Sequence, residues 1–184
     1  MTRHVRYTVN KEAPATLPDG APEIRRGIVG VDVPEGARIL PPCSPSKIVC
    51  VGRNYVEHAK ELGNPVPAEP LIFLKPPSSL IGDGDSIVYP SISQNVHFEG
   101  ELGVIIGRRA RNVPKEQAFE YVLGYTCLND VTARDIQRKD VQFSRGKGFD
   151  TFCAVGPWMI SRDDFRIDAA RVITRLDGET KQDA

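Results

Sequence analysis

The chain has 184 residues, 40% of them apolar and 26% charged, a profile that suits one substantial core and excludes a disordered, charge-dominated segment. Lysine plus arginine equals aspartate plus glutamate at 24 each, so no global field draws nucleic acid or an anionic membrane surface, and any charge that matters is local. Cys43, Cys50, Cys127 and Cys153 lack zinc-site or disulfide-framework spacing, the opening MTRHVRYTVNKEAP has no apolar export core, and no run of about eighteen apolar residues follows, so a cytoplasmic protein with reduced thiols is expected.

Residues 5–42 carry short apolar stretches cut by proline and glycine, which predicts a small β-rich segment over 1–44 ahead of a main domain over 45–184. KIVCVG at 47–52 reads as a buried strand, and YVEHAKELG reads as a short helix with Gly63 at its C-cap and Pro65 beyond. EPLIFLKP and GDSIVYP predict strands around a turn rich in glycine and aspartate, and VHFEGELGVIIG predicts a strand pair or one long bulged strand. KEQAFEYVLG has the clearest helical pattern, with Ala118, Tyr121, Val122 and Leu123 on an inward face. YTCLNDV predicts a strand leading into TARDIQRKD, where Thr132 and Asp135 have capping-box spacing. The final VITRL, DG and ETKQDA predict a strand, a hairpin turn and an unfinished return arm, which suggests truncation.

In HFEGELG, His97, Glu99 and Glu101 alternate with apolar or small residues and share one face of a strand. Two carboxylates this close repel, so the pair is either a solvated face, the commoner case for such a motif taken alone, or the seat of a cation. The apolar GVIIG that follows favours burial, and a buried carboxylate pair needs positive charge. Asp130, at the end of the strand in LNDV, is either a turn former or a third carboxylate of an all-oxygen site suited to magnesium, manganese or calcium rather than zinc. His58 and Glu61 lie three apart on the short helix, as a surface pair or as an oriented general base. Arg134, Gln137 and Lys147 supply polar and cationic groups nearby in sequence, with Lys147 expected to be exposed between two glycines, either solvated or gripping a carboxylate or enolate.

Taken in order, KIVCVGRNYVEHAKELG, LKPPSS, HFEGELGVIIG, NDVTARDIQ, GKGFDTF and VGPWMI resemble the fumarylacetoacetate hydrolase superfamily over roughly residues 45 to 184, closest to its acylpyruvase-like and diene-dioate isomerase-like members. The resemblance implies an α+β fold, a mixed β-sheet roll with a few short helices, here without the C-terminal strands. It also implies metal ligands at Glu99, Glu101 and Asp130 for magnesium or manganese, a water-activating dyad of His58 and Glu61 on a mobile lid, and an active-site lysine at Lys147. Arg134 and Gln137 then match substrate-side positions, and Arg53, Asn54 and Tyr55 belong to the same motif. The implied activity is hydrolysis of a carbon–carbon bond in a small 2,4-diketo acid through a metal-bound enolate, with isomerisation of 2-hydroxy-diene dioates, decarboxylation of oxaloacetate, or an inactive metal-binding chain as alternatives. A homodimer is the implied assembly. Gly146 and Ala154 depart from the alanine and proline common at those positions.

Overall fold

The computed structural model describes residues 1–12, 25–54 and 67–184. Thirteen strands among them are β1 (Arg3–Thr8), β2 (Arg25–Ile28), β3 (Arg38–Leu40), β4 (Ile48–Gly52), β5 (Leu71–Lys75), β6 (Leu80–Ile81), β7 (Val96–His97), β8 (Gly100–Ile106), β9 (Val122–Asp130), β10 (Thr132–Ala133), β11 (Cys153–Ser161), β12 (Ile173–Leu176) and β13 (Glu179–Asp183). Two short helices, α1 (Arg134–Lys139) and α2 (Ser144–Lys147), lie between β10 and β11. The main sheet runs β2–β1–β11–β9–β8, with β3 added to β1 and β6 paired parallel to β11, so it is mixed as expected for this α+β class. The N-terminal strands are part of this sheet, because β1 pairs antiparallel with β11.

Alternation explains why β8 and β9 form the spine of the site. Along β8, Gly103 and Ile105 are buried while Val104 and Ile106 are exposed, the period of two that a half-buried strand requires. β9 lies antiparallel beside it, with Glu101 opposite Leu128 and Gly100 opposite Asn129. Beneath the end of β9, Val131, Ala133, Ile136 and Phe152 form one apolar cluster, flanked by Val96 and Phe149. A second, of Leu80, Cys153 and Val155, is flanked by Ile48 and Leu128. Each fully buried valine, leucine, isoleucine or phenylalanine in them contributes about 1.5–3 kcal/mol, so these clusters help fix where β9 ends and the connection to α1 begins.

Several expectations fail for identifiable reasons. KEQAFEYVLG is not an α-helix with an inward face: Lys115–Tyr121 is a 3-10 segment without a buried residue, and Val122 opens β9 opposite Ile106, so strand pairing outcompetes the helical pattern. The capping box is absent, because Thr132 Oγ1 donates to the Asp130 carbonyl (2.9 Å) while Asp135 accepts from Ser93 Oγ (2.7 Å) and the Gln94 amide (2.9 Å). GDSIVYP forms no strand. The β4 strand is half-buried rather than buried: Val49 and Val51 are exposed opposite exposed Leu74 and Ile72 on β5, while Cys50, Phe73 and Lys75 face inward. The final hairpin has its return arm, with β12 and β13 joined by Asp177 and Gly178, whose φ of 51° and 84° match the primed turn that DG favours.

Candidate metal and acid-base site

Glu99, Glu101 and Asp130 meet because of the β8–β9 register. The Asp130 amide donates to the Glu99 carbonyl (2.9 Å), and the Glu99 amide donates to the side-chain oxygen of Asn129 (3.0 Å), so the ends of the two strands are pinned side by side. One carboxylate oxygen from each of Glu99, Glu101 and Asp130 lies within 4.8 Å of the others. Asp130 is buried and the two glutamates are half-buried. His97, read as sharing their face, belongs instead to β7, where it is exposed and pairs with Thr132.

Three cations surround the carboxylates. Lys147, at the end of α2, places Nζ 2.8 Å from Glu99 Oε2 and 2.5 Å from Asp130 Oδ2, with the Phe73 ring centroid 5.0 Å away. Arg134, at the start of α1, pairs with Glu99 and donates to Gln137 Oε1 at 2.9 Å. Lys75, from β5, reaches Asp130 Oδ1 at 2.6 Å and is 1% exposed. Lys147 is therefore buried rather than presented to solvent. Its flanking glycines serve close packing, since a Cβ on Gly146 would meet the Gln137 amide nitrogen at 2.9 Å and the Ala133 carbonyl at 3.1 Å.

Burial, then repulsion from Asp130 and Glu99, pushes the Glu101 carboxyl up to about 8. Such a carboxyl is strained as an anion and is relieved by a cation placed among the three groups. The donor set is all oxygen, which fits a hard divalent ion. The buried sulfurs compete poorly: burial above all pushes the Cys50 and Cys153 thiols up to about 12, and none of the four cysteines is in a disulfide.

The structure thus gathers Glu99, Glu101, Asp130, Arg134, Gln137 and Lys147. Arg53 and Asn54 are exposed just after β4, Arg53 with φ 56°, and no hydrogen bond or ion pair joins them to the carboxylates among the described residues. Tyr55, His58 and Glu61 lie outside the described residues. Lys75 and Asn129 were not singled out from the sequence. Lys75 had a signal, a lysine at the inward position of LIFLK immediately before Pro76.

On the reverse face of the same strand, a Cβ on Gly100 would collide with Thr174 Oγ1, which itself lies 2.9 Å from Gln182 Oε1. The β12–β13 hairpin therefore rests on the segment between the two glutamates from behind.

The family description "Fumarylacetoacetate (FAA) hydrolase C-terminal" matches residues 47–184. An uncharacterized protein of Archaeoglobus fulgidus is 51% identical over 154 residues, covering 83% of this chain and 61% of the relative. The human mitochondrial oxaloacetate tautomerase FAHD2A is 42% identical over 147 residues, covering 78% of this chain and 47% of the relative. Among solved structures, that of 2-hydroxyhepta-2,4-diene-1,7-dioate isomerase from Mycobacterium marinum superposes with a TM-score of 0.79 at 36% identity, covering all of this chain and 75% of that one. The chain thus spans between about half and two thirds of the length of these two curated relatives. No helix among the described residues is long and apolar enough to cross a membrane.

Proposed function

The chain belongs to the fumarylacetoacetate hydrolase family, whose members are enzymes acting on small organic acids and typically depend on a divalent metal, and from that premise we propose that it moves a proton on a small 2-oxo diacid. In this reading the acid is interconverted between keto and enol forms, or its double bond is shifted. The relatives named tautomerase and isomerase support this more closely than the carbon–carbon hydrolysis first expected. The observation that carries it is the position of Lys147, a buried ammonium touching both Glu99 and Asp130.

Glu99, Glu101 and Asp130 would hold the ion, magnesium or manganese by the hardness of the donors, with calcium the alternative. When bound, it supplies Lewis-acid polarisation of the 2-oxo oxygen. Lys147 donates two hydrogen bonds in the structure and keeps a third hydrogen for substrate. As an ammonium it stabilises negative charge on the substrate oxygen, or gives a proton to the enol carbon while the enol O–H proton leaves to water and its electrons re-form the carbonyl, water then returning a proton to the amine. Arg134, held against Glu99 and Gln137, would grip a substrate carboxylate.

A second reading, hydrolysis of a 2,4-diketo acid, is supported by the family description and needs His58 and Glu61 to activate water. The two readings separate in one comparison. Enol oxaloacetate should ketonise faster with the chain and Mg2+ than without, slowed about 100-fold by Lys147→Met but little by His58→Ala. If His58→Ala abolishes turnover and an acylpyruvate is cleaved, hydrolysis is the activity; if Lys147→Met is without effect, the proton-transfer role fails. A cytoplasmic homodimer belongs to the same proposal on the strength of the family resemblance, and sedimentation at single-chain mass would refute the dimer.

A further inference from the structure

Lys75 is not accounted for by proton transfer. It enters from β5, in a two-stranded sheet separate from the one that carries the carboxylates, and its side chain is fully buried. An ammonium has three hydrogens, and three acceptors meet this one: Asp130 Oδ1 at 2.6 Å, the Val131 carbonyl at 3.1 Å and the Lys147 carbonyl at 2.5 Å. No donor remains for substrate, so Lys75 is a positioning residue. The two carbonyls come from different segments, the β9–β10 junction and the end of α2, and swinging the ammonium away would leave both without it in a buried setting.

The two oxygens of Asp130 are therefore unequal. Oδ1 is tied to a lysine locked by two backbone groups, whereas Oδ2 accepts from Lys147, whose other bond is to the side chain of Glu99. We infer that Lys75 selects the size of the cation by reserving Asp130 Oδ1, so that Asp130 offers an ion one oxygen and not two. The inference rests on the metal site proposed above. Calcium takes about six to eight oxygens and commonly uses both oxygens of a carboxylate, while magnesium takes about six in a near-octahedral set of single-oxygen contacts and waters. Blocking the second oxygen of Asp130 handicaps the larger ion. A third positive charge beside the ligands weakens all divalent ions together, and so does not alter the ratio between them.

The test is competition for bound Mn2+, followed by the electron paramagnetic resonance signal of free Mn2+, with Mg2+ and Ca2+ as competitors of the native chain and of Lys75→Met. The native chain is expected to bind Ca2+ no more tightly than Mg2+, and Lys75→Met to shift the ratio at least tenfold toward Ca2+. A merely structural lysine would change both affinities by the same factor, and that result, with Mn2+ binding intact, overturns the inference while leaving the metal site standing. Should Lys75→Met not melt cooperatively, the native ratio decides: tighter Ca2+ than Mg2+ overturns it. Absence of saturable Mn2+ binding to the native chain removes the metal site, and the inference with it.

Discussion

Glu101 makes the proposed metal site sensitive to pH in a direction that can be worked out. Its carboxyl is pushed up to about 8 by burial and then by Asp130 and Glu99, so the metal-free protein holds a proton there at neutral pH. A divalent ion binds the ionised form and must displace that proton. Well below pH 8 the apparent affinity should therefore fall about tenfold for each unit, about 50-fold in all between pH 8 and pH 6, and it should level off above pH 8. Folding responds with the opposite slope. A carboxyl raised above its unfolded value of 4.5 binds more protons folded than unfolded, so the metal-free chain loses stability as pH rises from about 4.5 through about 8, and added Mg2+ should reverse the loss. Titration calorimetry in two buffers of different ionisation heat, at pH 6 and pH 8.5, measures both affinity and protons released. About one proton should leave per ion at pH 6 and about a quarter of one from this group at pH 8.5, and Glu101→Gln should abolish the slope. Equal affinity at the two pH values in the native chain would refute the reasoning.

Two further predictions concern the scaffold that holds the carboxylates. Phe152, fully buried against Phe149 and in the cluster under Asp130, should cost about 3–5 kcal/mol when replaced by Ala, read as a lower denaturant midpoint at unchanged slope; less than about 1 kcal/mol would mean the cluster collapses around the gap. Gly100→Ala should push the β12–β13 hairpin off the back of β8 and weaken Mn2+ binding at least tenfold, because Thr174 Oγ1 occupies the space a methyl group needs. Native-like affinity in that variant, measured by calorimetry, would show that the hairpin does not brace the glutamates.

The carboxylates were legible because alternation is a strong local signal: Glu99 and Glu101 two apart at the start of the apolar run that forms β8, and Asp130 at the end of β9. Their meeting was not local, since it depends on the register that sets Gly100 against Asn129. Lys147 was identified as a candidate site residue but expected to be exposed, because glycines beside a lysine read the same whether they expose it or let α2 approach α1. Lys75 went unseen for a related reason. In LIFLK the lysine ends an apolar run, and only the pairing of β4 with β5 shows that Cys50, Phe73 and Lys75 share the inward face while Val49, Val51, Ile72 and Leu74 lie outward. The false helix at 115–124 is the reverse case, where helical spacing was present but Val122 had a better partner in Ile106.

The most direct test of the account is a calorimetric titration of the chain with Mn2+ at pH 8, comparing the native sequence with Glu99→Ala and Asp130→Ala. One saturable site in the native chain, lost in both variants while they still melt cooperatively, is the predicted result. No saturable binding to the native chain, or binding that survives both substitutions, would contradict it.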